Sequence, residues 1–163
     1  MKKLLIFLLL LPSLLFSQQN INMPIGNNTA NYNTCNAIFY DSGGSTGNHG
    51  INQNSSIKFT PSTSGMAIKI VFTSFTVSRG STMTIYDGPD NTYTQIAIFN
   101  DAISPTGLPL VASPSPLNPD GSIYIEFISG GNNEMGWKAT ITCSAPCQKF
   151  NVQLDPLITT KHW

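Results

Sequence analysis

Apolar and polar residues alternate along most of this chain. The clearest run is Met66–Gly88 (MAIKIVFTSFTVSRGSTMTIYDG), where Ile68, Ile70 and Phe72, then Met83 and Ile85, recur at every second position. A period of two is the mark of half-buried strands. Ser78-Arg79-Gly80-Ser81 turns the chain between the two, and Tyr86-Asp87-Gly88-Pro89-Asp90 ends the second with turn formers. The same alternation returns at Ser122–Ile128 (SIYIEFI) and Trp137–Cys143 (WKATITC). These four segments are expected to be inner strands, with the remaining segments at the rims.

Four shorter segments complete the pattern: Cys35–Tyr40 (CNAIFY), Ser56–Thr60 (SIKFT), Thr94–Phe99 (TQIAIF) and a short strand at Leu110–Ala112. The connections are rich in turn residues. Asp41–Gly50 (DSGGSTGNHG) is a glycine loop, Asn100–Asp120 holds five prolines, and Gly130-Gly131-Asn132-Asn133 separates the last two strands. No window beyond the first residues has helical periodicity. About eight short strands with frequent turns predict an all-β chain, an antiparallel sandwich of sandwich or jelly-roll type. Gln18–Thr34 (QQNINMPIGNNTANYNT) is polar without a sustained period and reads as an extended lead-in, so the ordered part is expected to begin at Cys35.

The N-terminus changes the picture. Lys2 and Lys3 precede an apolar run, Leu4–Leu11, which continues past Pro12 to Phe16 before Ser17 and the polar Gln18-Gln19-Asn20. That order is that of a cleaved secretory signal over residues 1–17. The run is shorter than the roughly 20 apolar residues that a spanning helix needs. The expected localisation is therefore secreted or cell-surface, with no membrane insertion after cleavage. About 145 residues then remain, enough for one domain with its own core. They carry six basic side chains against eight acidic ones, a net charge of −2. So weak a charge argues against nucleic acid or an anionic membrane as partner.

Several residues invite a chemical reading. Asp41, Asp87 and Asp90 could serve acid–base or metal chemistry, but Asp in turns ordinarily accepts hydrogen bonds from nearby backbone N–H groups. Asp41-Ser42-Gly43 with His49 does not make a convincing triad, which needs an oriented base beside the nucleophile. Gly43-Gly44 and Gly130-Gly131 lack the strand–helix context of phosphate loops. No catalytic residue is assigned. Aromatic faces beside Asn side chains are better suited to recognition. Tyr93, in the loop after Tyr-Asp-Gly, is the candidate ligand contact together with Asp90 and Asn91; Tyr32 lies in the lead-in, and Tyr86 and Trp137 read as core. Three cysteines, Cys35, Cys143 and Cys147, are an odd number, so one has no partner within the chain.

The order Cys35, Ile57-x-Phe59, Ile68-x-Ile70-x-Phe72-x-x-Phe75, Met83-x-Ile85-Tyr86-Asp87-Gly88, Ile123-x-Ile125-x-Phe127-x-Ser129 and Gly136-Trp137-x-Ala139 resembles the CUB domain, an extracellular β-sandwich. The resemblance covers roughly Cys35–Cys143 and is closest to the CUB modules of large bacterial surface and secreted proteins. It implies a CUB-like sandwich over 35–143 and a disulfide between Cys35 and Cys143, with Cys147 as the rival partner. Calcium-binding CUB domains use three acids, and the matching positions here are Ser78, Ser81 and Gly130. Calcium takes six to eight oxygens, several of them carboxylate. The resemblance to that subgroup therefore fails at the metal, and no metal or cofactor is expected.

After Cys143, Ser144-Ala145-Pro146-Cys147 reads as a linker, and Lys149–Leu154 (KFNVQL) as the first strand of a further, truncated domain over 144–163. The functional expectation is a non-enzymatic recognition module for an extracellular protein or glycan, part of a larger adhesin-like protein. The alternative is an accessory module of a secreted peptidase or other hydrolase.

Overall fold

A computed structural model describes residues 17–77, 79–100 and 107–146. Residues 1–16 of the expected signal, the turn residue Ser78, Cys147 and the strand expected at 149–154 lie outside the described residues. The described chain is all-β: β1 (Gln19–Asn22), β2 (Thr29–Asn33), β3 (Asn36–Tyr40), β4 (Asn54–Thr60), β5 (Ala67–Phe75), β6 (Thr82–Tyr86), β7 (Gln95–Phe99), β8 (Leu110–Ala112), β9 (Ile123–Ile128) and β10 (Trp137–Ser144). They form two five-stranded sheets packed face to face. Sheet A has the order β1-β3-β10-β5-β8 and sheet B the order β2-β4-β9-β6-β7. All four segments expected to be inner strands, β5, β6, β9 and β10, have a neighbour on each side.

Two expectations are corrected. First, the ordered part begins at Gln19 rather than Cys35. The segment read as a lead-in supplies β1 to sheet A and β2 to sheet B, and it buries Ile21 and Met23. Second, the sandwich is not purely antiparallel. β1 runs parallel to β3 and β2 parallel to β4, so both sheets are mixed. The first four strands alternate between the sheets. Each same-sheet pair is thus joined through a strand on the opposite sheet, the kind of crossover a parallel pair requires. The segment between β5 and β6 also joins the two layers, since β5 belongs to sheet A and β6 to sheet B.

The core is the sum of the inward positions that the alternation marks. Ile68, Ile70 and Phe72 of β5, Met83 and Ile85 of β6, Ile123, Ile125 and Phe127 of β9, and Trp137, Ala139 and Ile141 of β10 are all buried. Aromatic pairs fasten the layers together: Phe39 to Phe59 (ring centroids 5.1 Å apart), Trp137 to Phe127 (4.9 Å) and Phe75 to Phe99 (4.9 Å), each with one ring from either sheet. Edge-to-face pairs of this kind add to the gain from burial, which is about 2 kcal/mol for each fully buried Phe. At one end of the β3–β10 ladder, Cys35 and Cys143 form a disulfide with Cα atoms 5.0 Å apart.

Candidate functional site

The turns and strand ends decide which candidate side chains are left for a ligand. Asp41 is buried, and its two oxygens accept backbone N–H groups: Oδ1 from Gly43 at 2.6 Å and Oδ2 from Gly136 at 2.8 Å. Ser42 Oγ donates to Gln53 Oε1 at 2.8 Å and accepts from Gly50 N at 3.1 Å. His49 is fully buried, its Nδ1 2.9 Å from the Gly50 carbonyl and its ring edge-on to Phe127. These three side chains therefore hold the glycine loop against the sandwich instead of meeting one another as a triad. Asp87 has a similar task. Its Oδ1 accepts from Ser115 N at 3.0 Å and Asn118 Nδ2 at 3.1 Å, tying the proline-rich segment to the end of β6.

Two of the three positions discussed for calcium meet directly. Gly130 N donates to Ser81 Oγ at 3.0 Å, and Ser81 is buried. A Cβ at Gly130 would lie 3.0 Å from the Arg79 and Gly80 carbonyl oxygens, so a longer side chain needs the 79–80 turn to move. Among the described residues no three His, Cys, Asp or Glu side chains are grouped as a metal site.

The solvent face of sheet B is different. Alternation that sends Ile123, Ile125 and Phe127 inward sends Tyr124 and Glu126 outward, and the same rule turns Thr84 and Tyr86 of β6 outward. The register then lines these residues up in two rows across all five strands. One row runs Asn31, Lys58, Tyr124, Tyr86, Gln95; the other runs Thr29, Ser56, Glu126, Thr84, Ile98. Tyr86 thus lies on this outer face, not in the core as the sequence suggests; Trp137 is the one of the pair that is buried. The Tyr86 and Tyr124 rings stand 6.1 Å apart and are tilted by 49°.

Glu126 is fixed on this face from two sides. Tyr86 Oη donates to its Oε2 at 3.0 Å, and Asn91 Nδ2 to its Oε1 at 2.8 Å. Burial, then the bond to Glu126, raise the Tyr86 phenol above its ordinary pKa, because ionisation would place a second negative charge beside the carboxylate. The loop after β6 folds over one edge of the face. Asp90 Oδ1 accepts from Thr92 N at 2.9 Å and Thr92 Oγ1 at 2.6 Å. These bonds, with a smaller pull from Lys58, hold the Asp90 carboxyl below its ordinary pKa. Tyr93 lays its ring on Gly88, where any Cβ would overlap the ring, and stays 43% exposed.

Of the three residues expected to contact a ligand, Asn91 reaches the face through Glu126, Asp90 flanks it near Lys58, and Tyr93 stands at its rim on Gly88. Sequence reasoning missed Tyr124, Glu126 and Lys58. The signal was there: in β9 the polar partners of a strict apolar alternation must share the opposite face. No family model matches the chain, and no curated protein matches it.

Proposed function

We propose that the chain is a secreted, CUB-like recognition module that binds an extracellular protein or glycan on the outer face of sheet B without catalysing a reaction. The observation that carries this reading is the pinned Glu126 between Tyr86, Asn91 and Tyr124. A half-buried aromatic pair on an outer sheet face beside an oriented acceptor is the equipment of a binding surface. The acid and hydroxyl groups elsewhere support it too, since Asp41, Ser42 and Asp87 are spent on fastening loops. Secretion rests on the basic and apolar N-terminus, and the Cys35–Cys143 disulfide agrees with an oxidising compartment. A larger adhesin-like protein is the setting that fits a module of this kind.

The test is to apply residues 18–163, labelled at a single site, to arrays of extracellular proteins and glycans. Saturable binding that the double change Tyr86→Ala/Tyr124→Ala abolishes, with the fold retained by circular dichroism, is the expected result. Binding untouched by that change would move the site elsewhere. Turnover of a substrate by the isolated chain would refute the non-enzymatic reading.

A further inference from the structure

Resting on that reading, we infer that the ligand of the sheet B face is a neutral glycan, seated on Tyr124 and Tyr86 and hydrogen-bonded by Glu126, Asn91 and Lys58. Three observations select this chemistry. The first is the balance of apolar and polar surface. Along the two rows, the aliphatic side chain is Ile98 on the edge strand β7, and a half-exposed Ile128 follows Glu126 two positions along β9. The neighbours of the tyrosine pair itself are Lys58, Gln95, Glu126 and Thr84, which give a protein partner's apolar anchors little to bury against. A sugar ring asks for less: one face of C–H groups to lie on an aromatic ring, and hydroxyls around its rim for hydrogen bonds. The tilted tyrosines offer the first, with one ring beneath a sugar and the other leaning against its side.

The second is hydrogen-bonding capacity. An ionised carboxylate has about four acceptor sites, and Tyr86 and Asn91 occupy one on each Glu126 oxygen. The remaining sites take hydroxyl protons from a ligand. Because the carboxylate is already fixed, little ordering cost falls on binding. Lys58, directly across from Tyr124, supplies donors on the other side, and Thr29, Asn31 and Gln95 extend the polar surface outward.

The third is charge. Among the described residues of this face, Glu126 and Asp90 stand beside one cation, Lys58, so uronate or sulfated chains would be repelled whereas neutral sugars would not. Backbone recognition of an extended peptide is also closed off in mid-sheet, since the N–H and C=O groups of β4, β9 and β6 pair with strands on both sides. The face is long as well: five strands at about 4.8 Å spacing span roughly 20 Å, enough for a chain of several sugar units.

The experiment measures binding of residues 18–163 to soluble neutral hexose oligosaccharides of increasing length, and to uronic and sulfated counterparts, by titration calorimetry. Expected are neutral ligands preferred over charged ones and affinity rising with chain length. Tyr124→Ala should weaken binding about tenfold or more. Glu126→Gln, which keeps shape and removes charge, should weaken it severalfold and lessen rejection of uronates. Val111→Ser, on the outer face of sheet A, should change nothing. Neutral-sugar binding that survives both Tyr124→Ala and Glu126→Gln overturns the site while leaving a recognition module. Preference for sulfated chains, or a protein ligand lost in Tyr124→Ala, overturns the glycan class and leaves the face. Binding to no glycan and no protein on the arrays overturns both inferences.

Discussion

Asp41 and Glu126 put the same functional group to opposite uses. Asp41 is buried with both oxygens committed to backbone N–H groups of two different loops. Asp41→Ala would leave those donors without an acceptor, at a cost of about 1–3 kcal/mol for each group that stays buried. A fall in the urea midpoint with an unchanged slope is the expected outcome, and unchanged stability would show that the glycine loop is held by other contacts. Glu126 instead keeps acceptor capacity open to solvent, and its bond from Tyr86 has a consequence in alkali. The Tyr86 pKa is raised on folding, so its contribution to stability is complete below the unfolded value near 10 and is lost as pH rises through the higher folded value. Stability measured against pH should therefore decline above pH about 10 in the parent chain. Tyr86→Phe should remove that component of the decline, and an unaltered alkaline limb would show that the phenol is not coupled to Glu126.

At the level of elements, β1 sets apart a decorative N-terminal arm from a structural strand. Ile21 pairs with Phe39 in register and is buried. Ile21→Ala should cost about 2–4 kcal/mol, as truncations of buried aliphatic side chains do, whereas an arm outside the fold would tolerate it. Denaturant titration of the variant reads the difference directly. The same strand explains what the sequence could and could not convey. Alternation in β5, β6, β9 and β10 runs long enough to mark which side chains turn inward, and those segments are strands with the predicted faces buried. β1 and β2 have four and five residues, so each offers only one or two inward positions, Ile21 in one and Ala30 with Tyr32 in the other. That is too few to establish a period against a background of Asn and Thr. Alternation is also silent about partners. It places Met83 and Phe72 on buried faces without saying that their strands lie in different sheets. The outer face of sheet B is hidden by the same silence. Tyr124, Tyr86 and Lys58 lie far apart in sequence, and only the register of β4, β9 and β6 sets them side by side.

For the molecule as a whole, the strongest single constraint is the disulfide, which bridges residues 108 apart in sequence. In the chain-entropy account, closing a loop of that length stabilises the fold by about 4–5 kcal/mol by restricting the unfolded chain. Reduction, or Cys35→Ser with Cys143→Ser, should lower stability by up to that amount. The comparison of denaturant curves with and without reductant is the check, and coincident curves would mean that the native packing alone determines stability.

The middle strands of the two sheets, β9 and β10, are also the last two of the described chain to be synthesised. As a ribosome delivers this protein, β3 and β5 emerge with a gap between them that only β10 fills, and β4 and β6 wait likewise for β9. Neither layer has a continuous ladder until residues 123–144 have appeared. The pairs β1–β3, β2–β4, β5–β8 and β6–β7 can form before then, but each sheet remains in two pieces until its central strand arrives, and pairing of such long range slows folding. Cys143 lies in β10 itself, so Cys35 cannot meet its disulfide partner until the strand that closes sheet A has been made.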